Sequence, residues 1–238
     1  MRRFIYLLLL AGVPLAVSSG ITTGKEVTMT AKEFVKNIAW LGHDAFRITA
    51  GKTIYIDPFE LKKAAPADLI LITHDHFDHC SPEDVAKVQK ASSVIVTDSA
   101  SARKLKGNVK IVKPGEQLTV EGITIEAVPA YNVNKKFHPK ADGKLGFVIA
   151  VDGVRIYHAG DTDFIPEMKS IKADIAMLPV SGTYVMTADE AIQAALSFSP
   201  KVAIPMHYGS IVGSDADAVE FQQGLKGKVE VVILQKQD

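Results

Sequence analysis

Residues 68–79 read DLILITHDHFDH, so that an apolar run leads straight into three histidines, two aspartates and one phenylalanine. An apolar run of this length is typical of a strand that is buried on both faces of a sheet. Ser81-Pro82-Glu83-Asp84 then matches a helix start, because Ser is a good N-cap, Pro fits the first turn and acidic residues favour the positive helix end. The histidine segment is therefore predicted to be a tight loop between a buried strand and a helix.

This loop offers four candidate metal ligands, His74, His76, Asp78 and His79. Side chains two positions apart in an extended segment point to the same side, so His74 and His76 can share one metal. Asp78 and His79 follow as the chain turns and can face a second metal. Imidazoles and a carboxylate suit zinc, and also manganese or iron. The alternative is a surface loop that happens to be rich in His and Asp, but a strand end rarely presents this combination by accident.

The elements around the loop define the fold class. The pattern predicts β-rich segments, one helix, more β-rich segments, and then alternating strands and helices, which fits an α/β fold of two sheets packed face to face with helices outside. The predicted strands are Ile38–Leu41, Ala45–Thr49, Thr53–Ile56, Asp68–Thr73, Ser93–Thr97, Val109–Val112, Gln117–Val120, Ile123–Val128, Phe147–Val151, Val154–His158, Asp174–Val180, Lys201–His207 and Val229–Leu234. The later predicted helices are Ser99–Leu105, Ala188–Ser197 and Asp215–Leu225.

Composition excludes several classes of protein. The 238 residues suit one domain, and 47% hydrophobic with 23% charged residues are globular values. The formal net charge is +0, whereas a nucleic-acid binder usually carries a basic excess that neutralises phosphates. We therefore expect a small-molecule substrate and no nucleic acid. Cys80 is the only cysteine, which excludes an internal disulfide and a thiolate zinc cluster, and it is predicted to be buried and inert.

The N-terminus is predicted to be a signal peptide over residues 1–18. Arg2-Arg3 form a positive region, Phe4–Val17 is an uncharged apolar stretch, and Ala16-Val17-Ser18 supplies small residues for cleavage. The apolar stretch is shorter than the roughly 18–20 residues that span a bilayer. The mature protein is expected to be exported, to the periplasm or the cell exterior, with no membrane span after cleavage. An uncleaved N-terminal membrane anchor is the alternative.

Several motifs together resemble one family. HxHxDH at a strand-to-helix junction, here residues 74–79, is similar to the signature of the metallo-β-lactamase superfamily. Further segments resemble the branch that contains ascorbate-6-phosphate lactonase, N-acyl-phosphatidylethanolamine phospholipase D and many uncharacterised hydrolases. These segments are Trp40-Leu41-Gly42-His43, Ile56-Asp57-Pro58-Phe59, His158-Ala159-Gly160-Asp161-Thr162 and Met206-His207-Tyr208-Gly209. The resemblance implies an αββα sandwich and a hydrolase domain over residues 37–238.

The resemblance also assigns metal ligands position by position. It implies two divalent metal ions, with zinc expected and manganese or iron as alternatives. The matching residues are His74 and His76 for the first metal, Asp78, His79 and His207 for the second, and Asp161 as the bridge. The chain departs from the family at the third histidine of the first metal, because Ile123–Val128 runs into Pro129-Ala130-Tyr131. His138 is the nearest candidate, and an exposed loop histidine near the cleft is the alternative.

Three further residues are expected near the site but outside the ligand set. Asp57 is the best candidate to accept a hydrogen bond from a metal-bound histidine, although a turn or helix cap is an alternative. His43 resembles a position at the rim of the active site and is a candidate proton donor. A packed structural role is the alternative for both His43 and His158.

The chemistry implied by the resemblance is hydrolysis, in which a water activated by two metals attacks a carbonyl carbon or a phosphorus. Asp161 would fix the metals and Asp78 would orient the nucleophile, which makes these two the catalytic candidates. The sequence leaves ester, lactone, amide and phosphodiester substrates open. Three rival functions stay open: a non-catalytic metal-binding module, a flavodiiron-like redox enzyme and a nuclease. The flavodiiron-like branch has the motif HxExDH, whereas position 76 is His in this chain. The zero net charge disfavours a nuclease.

Overall fold

Two β-sheets form the centre of the fold in the computed structural model, which describes Met1 and residues 29–237. Apart from Met1, the predicted signal peptide lies outside the described residues. The first sheet contains β1 Ile38–Gly42, β2 Ala45–Ala50, β3 Lys52–Ile56, β4 Ala67–Ile72, β5 Gln89–Thr97 and β6 Asn108–Ile111. The second contains β7 Gln117–Val120, β8 Ile123–Pro129, β9 Leu145–Val151, β10 Val154–His158, β11 Ile175–Pro179, β12 Val202–Met206 and β13 Glu230–Val231. The α-helices are α1 Ala31–Phe34, α2 Pro82–Val88, α3 Ser99–Ala102, α4 Ala188–Phe198 and α5 Asp215–Leu225.

The strand order places parallel strands side by side in both sheets. In the first sheet the order is β1-β2-β3-β4-β5-β6, with β1 to β3 antiparallel and β3 to β6 parallel. In the second it is β13-β12-β11-β10-β9-β8-β7, with β7 to β10 antiparallel and β10 to β13 parallel. Parallel strands end at a common edge, so the residues that follow β4, β10 and β12 are brought to the same end of their sheets.

The core confirms the predicted two-sheet α/β sandwich. In β4, Leu69 and Leu71 face the large cluster between the sheets, while Ile70 and Ile72 face a second cluster that includes Val85 of α2. This strand is therefore buried on both faces, as its apolar run predicts. The helix α2 begins where the sequence predicts, because the hydroxyl of its N-cap Ser81 accepts a hydrogen bond from the Asp84 backbone N–H at 3.2 Å. No helix within residues 29–237 is long and apolar enough to cross a membrane.

Two element boundaries differ from the sequence prediction. The predicted strand Val229–Leu234 pairs only over Glu230–Val231, because the chain then leaves the second sheet and the Gln237 N–H reaches the Trp40 carbonyl of β1 at 2.8 Å. The predicted helix Ser99–Leu105 ends at Ala102, because the backbone continues in tighter three-residue turns such as Lys104 N–H to the Ser101 carbonyl.

The folded unit begins before residue 37. Thr30 and Glu33 form a capping box at the start of α1, and Phe34 at its end is fully buried in the core between the sheets. The short helix therefore packs against the sandwich.

Candidate metal centre

The predicted ligands converge at the end of the sandwich where β4, β10 and β12 finish. His74 follows β4, Asp161 follows β10, and His207 comes directly after β12. His138 arrives from the loop between β8 and β9. The structure brings into one centre the seven residues His74, His76, Asp78, His79, His138, Asp161 and His207.

Three imidazoles form a first cluster, made of His74, His76 and His138. One ring nitrogen of each lies within 4.8 Å of the others, and His138 Nε2 is 3.2 Å from His76 Nδ1. His138 is 3% exposed, so it is not an exposed loop histidine. Burial lowers the pKa of His138 to about 4 and also lowers the pKa values of His74 and His76. Neutral imidazoles are the form that binds a metal.

A second cluster contains His79 and His207. Their Nε2 atoms lie 3.3 Å and 3.4 Å from the same oxygen, Oδ1 of Asp161. Burial opposes their protonation, but the neighbouring Asp161 carboxylate raises the pKa of His79 well above its usual value and that of His207 to about 9. The second cluster therefore attracts positive charge, whereas the first cluster holds neutral rings.

Asp161 lies between the two clusters. While Oδ1 faces His79 and His207, Oδ2 is 3.9 Å from His74 Nε2 and 3.6 Å from His138 Nε2. Burial disfavours the charged form, but the imidazoles of His79 and His207 keep the pKa of Asp161 well below its usual value. One carboxylate thus presents one oxygen to each group of imidazoles.

Buried polar atoms without partners concentrate at this centre. Among the described residues, nine buried side-chain nitrogen and oxygen atoms have no hydrogen-bond partner, and seven of them belong to His43, Asp44, His74, His79, Asp161 and His207. Buried polar atoms are almost always satisfied, so a group of unsatisfied nitrogen and oxygen atoms at one place indicates a binding site for another group. A divalent cation fits, because these lone pairs come from imidazoles and carboxylates, which are ligands for zinc, manganese and iron.

The outer nitrogens of the rings are held by hydrogen bonds. In four histidines Nδ1 contacts an oxygen, which leaves Nε2 with a lone pair that faces the centre. The pairs are His74 with Thr73 Oγ1 at 3.0 Å, His79 with Asp57 Oδ2 at 2.8 Å, His138 with Asn132 Oδ1 at 3.1 Å and His207 with Ser181 Oγ at 2.9 Å. The structure places Asp57 where the sequence expected it. Thr73, Asn132 and Ser181 were not predicted, and no local motif marks them.

His43 lies beneath the centre rather than at its rim, which corrects the expected position. It is 1% exposed, and its Nε2 is 3.1 Å from Asp78 Oδ2. Its ring lies 4.1 Å from that of His207. His158 is buried as well, and its Nε2 contacts the backbone carbonyl of Asp44 at 3.0 Å. His43 therefore supports Asp78, and His158 packs behind the turn that follows β1.

The backbone is strained at this centre. His43, Asp57, His138 and His207 have φ angles of 52°, 44°, 50° and 60°, a left-handed region that residues other than glycine rarely adopt. Such strain persists where the surrounding structure enforces it, and it concentrates at functional sites. Gly160 meets a related constraint, since a Cβ there would lie 2.5 Å from the Leu145 carbonyl oxygen. Glycine at this position lets the segment before Asp161 approach the neighbouring backbone.

Comparison with known proteins identifies the family. The sequence profile of the β-lactamase superfamily domain matches residues 37–207. The chain is 36% identical over 213 residues to a UPF0173 metal-dependent hydrolase of Thermoplasma acidophilum, covering 83% of this chain and 93% of that protein. The chain belongs to the metallo-β-lactamase superfamily. It is thereby placed among the metal-dependent hydrolases of that superfamily.

Solved structures show the same fold. A proposed metal-dependent hydrolase from Parabacteroides distasonis matches with a TM-score of 0.74 and 38% identity, over 83% of this chain and 93% of that one. A metallo hydrolase from Ignicoccus hospitalis matches with a TM-score of 0.71 and 26% identity, over 84% of this chain and 95% of that one.

Two residues of this metallo-β-lactamase superfamily chain complete the comparison with the sequence-based interpretation: His138, which was the candidate for the third histidine, and Asp44. His138 reaches the first cluster although it lies nine positions beyond the end of β8, because the Asn132 N–H bonds to the His138 carbonyl at 2.9 Å and closes the loop. Asp44 was not predicted at all. It is fully buried beside His79, with its Oδ2 3.6 Å from His79 Nε2.

Cys80 does not take part in the centre, although it follows His79. It is 2% exposed and packs in the cluster beneath α2. Burial raises the pKa of its thiol to about 11. The thiol is thus buried and protonated, as the sequence predicts for an inert cysteine.

Ser181→Ala tests whether the hydrogen bond to His207 supports metal binding. Removing the partner of a metal-bound histidine typically costs about 10–100-fold in metal affinity. We expect a loss of this size at one of the steps of a calorimetric zinc titration. Ser170→Ala is the control, since its hydroxyl bonds only to the Glu167 carbonyl on the surface. Equal affinities for both variants would show that Ser181 does not position His207 for a metal.

Proposed function

We propose that this protein is a binuclear metal-dependent hydrolase that uses two divalent cations, zinc or manganese, to cleave an ester, lactone, amide or phosphodiester. The observation that carries the proposal is the position of Asp161, with one oxygen towards each cluster of imidazoles. The first cluster would hold one cation, and His79, His207 and Asp78 would hold the other. The chemistry that such a pair of cations supplies is the acidification of a water and the polarisation of a substrate oxygen.

The chain contributes position and charge to this reaction. Asp161 would set the spacing of the two clusters because it contacts both. The Asp78 side chain is 14% exposed and lines the cavity, so its carboxylate can accept a hydrogen bond from a water at the base of the cavity. His43 holds Asp78 from below at 3.1 Å. Asp161 and Asp78 are thus the two carboxylates that we assign to catalysis.

The cavity above the centre supports a small-molecule substrate. Its volume of about 450 Å³ is within the usual range for ligand pockets. Its base contains His76, Asp78, His138 and Asp161. Four exposed large apolar side chains, Phe77, Phe137, Tyr184 and Ile211, line its walls. Phe137 and Tyr184 contact each other edge to face, with ring centroids 4.6 Å apart. A substrate that carries an apolar group beside its scissile bond fits this lining.

Asp161→Asn separates the catalytic role from a structural one. The substitution keeps the shape of the side chain but removes the charge that faces both clusters. We expect hydrolysis of the best substrate from an ester, lactone and phosphodiester screen to fall at least about 100-fold, which corresponds to roughly 2.7 kcal/mol in the barrier. Folding should remain cooperative in excess metal.

The matched control for Asp161→Asn is Asp152→Asn. Asp152 lies in the hairpin turn between β9 and β10, at the end of these strands away from the centre. Asn also suits a turn with positive φ, and Asp152 has a φ of 48°. This variant should keep full activity. Near wild-type rates for Asp161→Asn at full metal occupancy would refute the binuclear mechanism.

Phe137→Ala tests the apolar lining. Loss of an aromatic contact with the apolar group of the substrate should raise KM about 5–30-fold, equivalent to about 1–2 kcal/mol, while kcat stays similar. Val219→Ala, an exposed apolar residue on α5, is the control and should change neither constant. An unchanged KM for Phe137→Ala with an apolar ester would show that the substrate does not bind against this wall.

The site of action is also part of the proposal. Arg2-Arg3, the apolar stretch Phe4–Val17 and Ala16-Val17-Ser18 support export with cleavage close to Ser18. The mature protein should begin near Ser19 and be found in the periplasm or the medium. N-terminal sequencing and fractionation measure this. Intact protein that starts at Met1 in the cytosol or in the membrane would contradict cleavage and export.

A further inference from the structure

Asp44 is a buried carboxylate that none of the roles above uses. It lies in the turn between β1 and β2, is 0% exposed, and neither carboxylate oxygen has a hydrogen-bond partner. Burying a carboxylate is costly unless it is paired or coordinates a metal. The turn therefore holds a buried carboxylate whose oxygens make no hydrogen bond.

The other buried aspartates show what a structural role looks like in this fold. Asp57 accepts hydrogen bonds from the Thr73 N–H and hydroxyl. Asp84 accepts from the N–H groups of Glu60 and Leu61, and Asp98 caps α3 through the Ser101 N–H. Asp163 bonds to the Asn132 amide and the Val133 N–H. Among the described buried aspartates, unpartnered oxygens occur on Asp44 and Asp161, and Asp161 is the carboxylate between the clusters.

Asp44 faces the second cluster. Its Oδ2 is 3.6 Å from His79 Nε2, and one donor atom of each of His43, Asp44, His79 and His207 lies within 4.8 Å of the others. Hydrogen bonds to the backbone carbonyls of His43 and Asp44 hold this turn. The His43 carbonyl accepts hydrogen bonds from Trp40 Nε1 at 2.9 Å and from the His207 N–H at 3.1 Å, while His158 Nε2 contacts the Asp44 carbonyl at 3.0 Å. The backbone that carries Asp44 is therefore held in place, and its fully buried side chain lies against the second cluster.

We propose that Asp44 is a direct ligand of the cation in the second cluster, where it adds a carboxylate to those of Asp78 and Asp161. This inference rests on the proposed binuclear centre. It makes the two clusters chemically unequal: the first is built mainly from imidazoles, and the second from three carboxylates and two imidazoles. Carboxylates suit hard cations such as manganese, whereas imidazoles suit zinc. The second cluster should thus retain Mn²⁺ better than the first.

Asp44→Asn tests the inference through metal binding, without an activity measurement. In the full-length protein, titrated with Mn²⁺ alone and followed by the electron paramagnetic resonance of free Mn²⁺, the wild type should bind two ions. Asp44→Asn should bind one of them at least tenfold more weakly, with the other step unchanged. Asp98→Asn is the matched control, because Asn caps a helix about as well as Asp, and it should bind both ions like the wild type.

Thermal unfolding provides a readout that distinguishes a ligand from a structural residue. Without metal, Asp44→Asn should unfold at a temperature at least as high as the wild type, because the amide removes a buried carboxyl whose pKa is raised by its burial and by the neighbouring Asp161. With saturating Mn²⁺ it should unfold at a lower temperature than the wild type. A structural aspartate would lower the transition in both conditions, and that result would overturn the inference.

The possible failures are separable. If the wild type binds no metal, the proposed binuclear function is wrong. If the wild type binds two ions and Asp44→Asn binds both with unchanged affinity, only the role of Asp44 is wrong. If Asp44→Asn does not fold, Asp44→Ser is measured in the same way. Unchanged Mn²⁺ affinity in that smaller variant likewise refutes the inference, and a loss at one step supports it.

Discussion

Asp161 is a carboxylate held among four imidazoles at the base of the cavity, with only 3% of its surface exposed. In an ordinary interior, charges and ring nitrogens at distances of 3.3–3.9 Å would be satisfied by hydrogen bonds. Here the lone pairs point at one another instead. The surrounding protein maintains this arrangement through the outer hydrogen bonds of the rings, the left-handed backbone at four residues and the missing side chain of Gly160. Much of the local structure can be understood as the support for this one carboxylate.

The part of the centre that sequence reasoning located is the part encoded locally. The DLILIT run predicts a strand buried on both faces, and the three histidines and the aspartate follow it without a gap. The positions of Asp161 and His207 could be anticipated because each comes just beyond an apolar strand, and parallel strands finish at a common edge. Composition and element order were also sufficient for the two-sheet α/β sandwich, since amphipathic helices and apolar strands have few ways to bury their surfaces together.

The remaining parts depend on contacts between distant positions. Asn132 contacts His138 six positions along the chain, and Ser181 contacts His207 at a separation of 26 positions. Asn and Ser are common in loops, so neither residue type predicts such a role. Asp44 follows a glycine and a histidine in a short turn, where an aspartate usually caps a backbone. Asp44 differs from a capping aspartate in that neither of its carboxylate oxygens has a hydrogen-bond partner, which only the structure shows. The shortened final strand has a similar origin, because the hydrogen bond of Gln237 to Trp40 joins the C-terminal segment to the first sheet, and no periodicity in the sequence predicts that contact.

Each cluster draws residues from both sheets. His74 and His76 extend from the first sheet and His138 from the second, while His79 and His207 likewise come from opposite sheets. A cation shared by such residues is a cross-link between the two layers at one end of the sandwich. A ligand that binds the folded chain alone adds about 2.7 kcal/mol to stability at a free concentration one hundred times its dissociation constant. The concentration of free metal would then affect the stability of the folded protein as well as its chemistry. At low metal concentration, the two sheets would first separate at the carboxyl ends of β4 and β12.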